Sequence, residues 1–335
     1  AYTDNPGIDS RYLTICTDDI NAATIVREGH LDRAVRAAIR NGVPPVIAIQ
    51  MATLNPAQLL EKARFIGSIS PGRIADILIV SNLAEFVIDE VYCDGILVAA
   101  DGKLLIDIPP FDYPEDSLKT MHLPQLKESD FKIEAPDRTS VEVRAIEIFP
   151  GMVHSKERIV TLHPQGGVLA ADPERDIAKA LIFYRHQPKE GITGSKGVGF
   201  VIGTHFKKNC AFASTVSHDC HNLQVIGTDD AAMVLAANTV IESNGGIAVV
   251  IDGKVAASLA LPLGGLMAVE SVEKVAEKIT AVENALLQAG ASSHTLEMTL
   301  SLLGLIVIEE LHLSNRGLVE LKDNQPLKFV DLIVK

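Results

Sequence analysis

The chain has 335 residues, of which 47% are hydrophobic, and at the usual domain size of roughly 100–200 residues it can form two or three compact units. Its formal net charge of -13 offers no dense basic face, so nucleic acid is not expected as a partner. Runs of about 18 apolar residues are missing and the first residues are polar and acidic, so we predict a cytoplasmic protein without a membrane segment.

The first region combines a β-prone segment with helical patterns. Leu13 to Cys16 predicts a strand, and Asp18 and Asp19 follow it directly. Apolar residues at helical spacing then predict one helical face, formed by Leu31, Val35, Ala38 and Ile39. Pro45 to Ala52 predicts another short helix, and Asn55 is predicted to cap a third.

From about residue 75 the apolar residues follow the period of strands. The predicted strands are Ile77 to Val80, Val87 to Tyr92, Ile96 to Ala99, and Lys103 to Ile106. Asp101-Gly102 predicts a hairpin turn between the last two. The run Pro109 to Asp116 is too rich in proline and acid for the interior of an element, and it predicts a linker.

Beyond about residue 130 strands and a helix alternate, which predicts a separate α/β domain. The predicted strands are Val141 to Phe149, Asp176 to Tyr184, Gly199 to Ile202, Cys210 to Val216, Leu223 to Ile226, and Ile247 to Ile251. Ala231 to Ser243 predicts the helix, with Asp229 or Asp230 as its cap.

Asp18 is the first candidate for chemistry. Enzymes with a (β/α)₈ barrel place catalytic groups at the C-terminal ends of strands, and Asp18 has this position relative to the predicted strand. A simpler interpretation is that Asp18 and Asp19 only cap the helix that follows.

Three ordered motifs resemble the signature that joins barrel and small β domain in the metal-dependent amidohydrolase superfamily. They are A-T-x-N-P-A at residues 52–57, G-x-I-x-x-G-x-x-A-D at residues 67–76, and V-x-x-x-G-x-x-V at residues 91–98. Other segments resemble the adenine deaminases within this superfamily. They are Ile15 to Asp19, Glu28 to Asp32, Thr215 to Asn222, Val225 to Asp230, and Leu261 to Met267.

The resemblance implies an α/β chain of three parts. Residues 1–65 would form the C-terminal end of a TIM-like (β/α)₈ amidohydrolase barrel, with the last strand and helices. Residues 66–118 would form a small β-sandwich domain, and residues 119–335 an α/β (α+β) adenine deaminase C-terminal domain.

The function implied by the resemblance is hydrolytic deamination of adenine to hypoxanthine and ammonia. A pair of divalent metals, Mn²⁺ or Fe²⁺, would activate the attacking hydroxide. Asp18 would bind the metal through one oxygen and take the proton from the hydroxide, whereas Asp19 would cap the next helix. Adenine would be the small-molecule partner, and a homo-oligomer is expected.

The sequence departs from the superfamily at the other metal ligands. The superfamily places its metal-binding histidines before the aspartate strand, but the first histidine here is His30, after Asp18. We therefore expect a fragment, or one of two segments, that cannot assemble the metal site alone. His30 is interpreted as a cap or packing residue, with a place in the substrate pocket as the alternative.

The segment containing His218, Asp219 and His221 has three possible interpretations. These side chains could hydrogen-bond a tight loop, line the adenine pocket together with Asp19 and His30, or bind an independent metal. Two further hypotheses stay open for the whole chain. One is another amidohydrolase activity, such as deacetylation of an amino sugar, and the other is a non-catalytic purine-binding or assembly module.

Overall fold

The protein is described by a computed structural model that covers residues 2–5, 7–322 and 325–334. It divides into two compact units, Ala1–Asp112 and Tyr113–Lys335, which we call unit 1 and unit 2. The division falls inside the predicted linker. The further division of unit 1 near residue 65 stays a prediction.

Unit 1 begins with short helices that include all three of those predicted. In its described part they are α1 (Ala22–Glu28), α2 (Leu31–Arg40), α3 (Pro45–Ala52) and α4 (Leu54–Leu59). The cap of α1 is Asn21, whose side chain accepts from Thr24 N at 2.9 Å, so the prediction that Asp19 caps this helix is wrong. Asn21 fits better because it immediately precedes the first helical residue.

The segment Leu13 to Cys16 belongs to no sheet in the described part of the chain, so the prediction of a strand there is wrong. Leu13 is extended and burial alternates along the segment, as in a strand. Its backbone instead bonds a helix end, with Ile15 N donating to Met51 O at 2.8 Å. Leu13 and Ile15 pack on the small core formed with α2 and α3.

The superfamily signature in unit 1 consists of residues that shape the backbone. Asn55 is buried and donates to Ser10 O and Leu13 O, both at 2.7 Å, so it ties the segment before Asp18 to α4 and does not cap the helix as predicted. Gly67 lies against Ala57, whose Cβ is 2.7 Å from where a Cβ on Gly67 would stand. These contacts explain the spacing of the motif without assigning it chemistry.

The second half of unit 1 is the predicted β unit. Its strands pair antiparallel in chain order and are β1 (Ile77–Asn82), β2 (Val87–Cys93), β3 (Ile96–Ala100) and β4 (Lys103–Leu104). Asp76 accepts from Asp94 N at 2.9 Å, which holds the turn between β2 and β3. Asp101 and Gly102 both have positive φ, as a type I′ hairpin turn requires.

Unit 2 is a mixed α/β structure in which each predicted element overlaps an observed one. Its described strands are β5 (Ile133–Glu134), β6 (Val141–Ile148), β7 (Ser155–Leu162), β8 (Val168–Leu169), β9 (Ile177–Phe183), β10 (Lys196–Ile202), β11 (Cys210–Ser214), β12 (Leu223–Gly227), β13 (Gly246–Ile251), β14 (Lys254–Ala260), β15 (Glu310–Ser314), β16 (Gly317–Leu321) and β17 (Lys328–Val330). Its described helices are α5 (Asp230–Glu242), α6 (Val272–Ala289) and α7 (Leu296–Ser301).

Eight of these strands form one sheet in the order β14-β13-β11-β12-β9-β10-β6-β7. Only the β10–β6 pair is parallel among the described strands of this sheet. Where β10 diverges from β6, the last described segment takes its place: Arg144 N donates to Leu332 O and Val334 N donates to Glu142 O. The sheet is therefore completed by residues at the far end of the chain.

The core of unit 2 lies on both faces of this sheet. Helix α5 packs against one face, where Met233 and Val240 meet Leu181 and Val225. Asp229 caps this helix as predicted, accepting from Ala232 N at 2.8 Å. The β15–β16 hairpin packs against β10, and it comes so close at Gly197 that a Cβ there would lie 1.8 Å from Ser314 O.

Within the described ranges, the helices are too short or too polar to cross a lipid bilayer.

Candidate functional site

Asp18 lies exposed at the end of the segment that packs Leu13 and Ile15 into the core of unit 1. Its backbone has φ +51, in the left-handed region that aspartate tolerates better than most residues. One carboxylate oxygen accepts from Asp19 N at 3.0 Å. Asp18 is therefore a solvent-accessible carboxylate on a locally fixed turn.

His30 is close to this turn. Its Nε2 lies 3.2 Å from Thr17 Oγ1, and its backbone N donates to Asp32 Oδ1 at 2.8 Å. It stands at the N-cap position of α2, but its side chain makes no capping bond. The structure thus brings Asp18, Asp19 and His30 into one short stretch of surface, through the turn at residues 28–32.

A metal site would need more ligands than this stretch supplies. The described part of the chain contains no group of three His, Cys, Asp or Glu side chains placed to hold a metal ion. The present residues therefore do not fit a complete divalent site by themselves, and Asp18 could serve only as one ligand among others.

The second candidate site lies in the connection between β11 and β12, at residues 217–222, which we call the His loop. Inside it, His221 N donates to Ser217 O at 2.7 Å. Ser217 Oγ donates to Gln224 Oε1 at 3.2 Å, and His218 N donates to Ser301 O at 2.9 Å. These bonds use backbone groups of His218 and His221 and the side chain of Ser217 to hold a tight loop, so the predicted role of the His218, Asp219 and His221 side chains in stabilising it stays a prediction.

The His loop also brings two imidazoles together. The ring centroids of His218 and His221 are 5.4 Å apart and nearly perpendicular. Asp219 is 76% exposed, whereas the side chain of His218 is 14% exposed. Burial lowers the pKa of His221, and the neighbouring His218 lowers it further, so His221 is neutral at physiological pH. Its Nδ1 is buried without a hydrogen-bond partner among the described residues.

Arg185 holds this loop, although it lies in none of the sequence motifs. It is 1% exposed, and its guanidinium donates from Nε to His221 O at 2.6 Å. Further bonds go to Thr120 O and Thr120 Oγ1 at 3.1 Å and to Gly264 O at 3.0 Å. Burial lowers the pKa of Arg185 to about 10, which still leaves it charged at neutral pH.

His186 adds a second bond to the loop, with its Nε2 at 2.7 Å from Cys220 O. A carbonyl only accepts, so Nε2 carries the proton and Nδ1 is the acceptor of the neutral ring. Burial lowers the pKa of His186, although the bond to Cys220 opposes this shift. The His loop and the Leu261 to Met267 segment are both sequence motifs. Arg185, which lies in no motif, hydrogen-bonds both of them, and His186 hydrogen-bonds the His loop.

Two cavities of unit 2 bear on ligand binding. One lies behind the His loop, beside Ser217, Asn222 and Asn315, and its volume of about 10 Å³ admits a single water. A purine does not fit there, so a substrate could meet only the outer side of the loop. The other is an open cleft of about 630 Å³ near Lys132 and Lys196, which is large enough for a small ligand.

Comparison with family models shows which protein family the chain belongs to. The model of the adenine deaminase C-terminal domain matches residues 152–325, just over half of the chain. The chain belongs to the adenine deaminase C-terminal domain family. The amidohydrolase family model matches residues 4–104 of the same chain. The resemblance stated from the motifs is confirmed for both regions.

The curated relatives that the chain matches are longer proteins. An adenine deaminase from Clostridium botulinum is 41% identical over 100% of the chain and 55% of its own length. One from Moorella thermoacetica is 43% identical over 97% of the chain and 54% of its own length. The chain thus spans about half the length of the relatives it matches and corresponds to their C-terminal part.

A crystal structure of an amidohydrolase from Thermotoga maritima MSB8 is 26% identical over 27% of this chain and 30% of that chain. Its TM-score of 0.20 is too low to bear on the fold.

Proposed function

We propose that the chain is the C-terminal part of an enzyme that hydrolyses adenine to hypoxanthine and ammonia. The observation that supports this most is the exposed carboxylate of Asp18, fixed on a turn within a motif that resembles adenine deaminases. Relatives with the name adenine deaminase align along almost the whole chain. Adenine is the small-molecule substrate in this proposal, and the enzyme is a homo-oligomer.

The finer architecture is part of the proposal. Residues 1–65 would be the last strand and helices of a TIM-like barrel, residues 66–118 the small β-sandwich domain, and residues 119–335 the C-terminal domain. The match of the amidohydrolase family model to residues 4–104 supports the first assignment.

Asp18 would hold and move a proton at its free carboxylate oxygen. A divalent cation, manganese or iron, would supply an activated water when bound. Asp18 is suited to ligate such an ion and accept a proton because its carboxylate is exposed and one oxygen is not used by Asp19 N. Asp19 and His30, on the same stretch of surface, would contact the substrate or water.

The His loop would contribute to purine binding. His221 is neutral and partly exposed, so its ring can contact an uncharged base without a charge penalty. His218 and the exposed carboxylate of Asp219 lie beside it. These three side chains are the proposed adenine contacts of unit 2.

Ammonia release from adenine tests the proposal. The chain would be assayed with manganese or iron, alone and together with the upstream segment of the Moorella thermoacetica relative, either mixed or fused. We expect ammonia only when the upstream segment is present. If both pieces fold and associate but release no ammonia, the proposed activity is wrong for this chain.

Substitution of Asp18 tests its role in the assembled enzyme. Asp18→Asn should lower kcat by at least about a thousandfold, because an amide neither ligates a cation as well nor accepts the proton. Asp101→Asn is the control, since Asp101 is exposed and has a similar φ in a hairpin turn of the same unit. Normal turnover by Asp18→Asn would remove Asp18 from the mechanism.

A non-catalytic purine-binding module is the second candidate, favoured by the open cleft of about 630 Å³ in unit 2. Its walls combine apolar Ile133 and Val198 with charged Lys132, Glu134 and Lys196. Calorimetric titration of the chain with adenine would test this function. Saturable binding that Val198→Trp abolishes would support it, whereas no heat of binding at two well-separated temperatures would exclude it.

A further inference from the structure

We propose that Arg185 and His186 are positioning residues, which hold the His loop in the conformation that binds adenine. This inference rests on the proposed function. Neither residue belongs to a motif that pointed to chemistry, and both act through the backbone of the loop.

The register of the sheet places the two residues. Strand β12 pairs with β9 so that Leu223 stands opposite Phe183. The residues that leave β9, Arg185 and His186, therefore lie beside the residues that enter β12, which are the last ones of the His loop. Neither pair is close in sequence, and only the antiparallel register brings them together.

The two side chains bind successive carbonyls of the loop. His186 Nε2 donates to Cys220 O at 2.7 Å and Arg185 Nε donates to His221 O at 2.6 Å. The peptide units on both sides of His221 are thereby fixed. This matters because His221 has φ +47, a left-handed conformation that non-glycine residues adopt only with support from their surroundings.

Arg185 also hydrogen-bonds two further segments of unit 2. Its terminal nitrogens donate to Thr120 O and Gly264 O, so one guanidinium joins three parts of unit 2. The partners that the described residues give it are carbonyl and hydroxyl oxygens rather than carboxylates. Such a set needs several donors in a fixed plane, which a lysine ammonium cannot reproduce.

The consequence for the loop is a fixed imidazole pair. With its backbone held, His221 keeps its ring 5.4 Å from that of His218. Without either donor, the carbonyls of residues 220 and 221 would turn to water and His221 would relax from its left-handed conformation. Adenine would then meet side chains in several conformations. The KM for adenine would therefore rise by a larger factor than kcat would fall.

Steady-state kinetics on the assembled enzyme test the inference, with the upstream segment fused to the chain. His186→Leu removes the donor, whereas His186→Gln keeps an N–H near the position of Nε2. We expect His186→Leu and Arg185→Lys to raise KM for adenine by about tenfold or more, with kcat within about threefold. His186→Gln should return KM to near the wild-type value. Arg158→Lys is the control, because Arg158 is exposed and pairs with Glu147.

The outcomes are distinguishable. If the wild-type fusion is inactive, the proposed function fails and this inference fails with it. If the wild type is active and His186→Leu keeps the wild-type KM, only the positioning role is wrong. Equal effects of His186→Leu and His186→Gln, or a loss of kcat that follows thermal unfolding, would also overturn it, because a purely structural role predicts them. The His186 pair remains informative even if Arg185→Lys does not fold.

Discussion

Gly265 has room for no side chain, because the guanidinium of Arg185 fills the space beside it. A Cβ on Gly265 would lie 2.5 Å from Arg185 Nη2, and the residue has φ +78. Gly264, with φ +68, has a similar backbone but open space around it. Substitution of Gly264 therefore measures the cost of a side chain on a left-handed backbone, and substitution of Gly265 adds the cost of its collision with Arg185.

We predict that Gly265→Ala lowers the free energy of unfolding by about 2–3 kcal/mol, and Gly264→Ala by only about 1 kcal/mol. The difference arises because alanine at 265 must displace a guanidinium that four hydrogen bonds hold in place. Urea unfolding followed by circular dichroism measures both. Equal losses would mean that Arg185 moves aside at little cost.

We predict that His312 makes the stability of unit 2 dependent on pH. It is 2% exposed, its Nδ1 lies 3.2 Å from Leu303 O, and burial lowers its pKa. An unfolded histidine takes up a proton near pH 6.5, but the folded one does so only at lower pH. The unfolded state therefore binds more protons in this window, and the free energy of unfolding falls as pH falls below about 6.5.

His312→Asn keeps a donor near Nδ1 and removes the titration. We expect it to reduce the slope of stability against pH, between about pH 6.5 and 5, by up to about 1.4 kcal/mol per pH unit. His163→Asn is the control, because His163 Nδ1 also lies near a carbonyl, Thr139 O, but its ring is exposed. An unchanged slope in His312→Asn would assign the acid sensitivity to other groups.

At the scale of single residues, the sequence predicts only what is local. Asp229 was recognisable as a cap because a cap acts within three residues of itself. Arg185 was not recognisable, since the register of the sheet brings it to residue 221, and residues 120 and 264 reach it only through the tertiary fold. The same reasoning explains why Asn55, read as a local cap, instead binds carbonyls 42 and 45 positions away.

At the scale of elements, Asn55 connects α4 to the segment that leads to Asp18. We predict that Asn55→Ala lowers the free energy of unfolding by about 2 kcal/mol, because two hydrogen bonds are lost and Leu13 O loses the donor of Asn55, whereas Ser10 O keeps its bond from Leu13 N. Hydrogen exchange of amides in residues 13–18 should quicken. Asn41→Ala, which removes one exposed bond to Ala37 O, is the control and should cost less than about 0.5 kcal/mol. Equal rates of hydrogen exchange in residues 13–18 of both variants would contradict the role of Asn55 in holding this segment.

Elements with strong periodicity were predictable, whereas their order in the sheet was not. Helices α2, α3 and α5 and strands β1 to β4 follow from local patterns. Leu13 to Cys16 also has a strand pattern, but a strand needs a hydrogen-bonded neighbour, and none is among the described residues. The parallel placement of β10 beside β6 depends on contacts between residues some 55 positions apart, which no window of sequence contains.

At the scale of the whole molecule, the two units are joined by a segment open to proteases. Phe111 is 69% exposed and lies outside helix and strand, between prolines 110 and 114. We predict that brief chymotrypsin treatment cuts first after Phe111, because irregular exposed chain fits a protease site best. Mass spectrometry of the two fragments checks this, and Phe111→Ala should delay the cut. Earlier cleavage inside unit 2 would contradict the division at residue 112.

The pairing of Val143 with Ile333 has a consequence for synthesis. The two residues are about 190 positions apart, so a ribosome makes β6 many seconds before the strand segment that pairs with it. During that interval the edge of β6 is open to any other extended chain. Nascent chains of this protein should therefore depend on chaperones until residues 332–334 have been synthesised, and substitutions that remove this pairing, such as Ile333→Pro, should prolong that dependence.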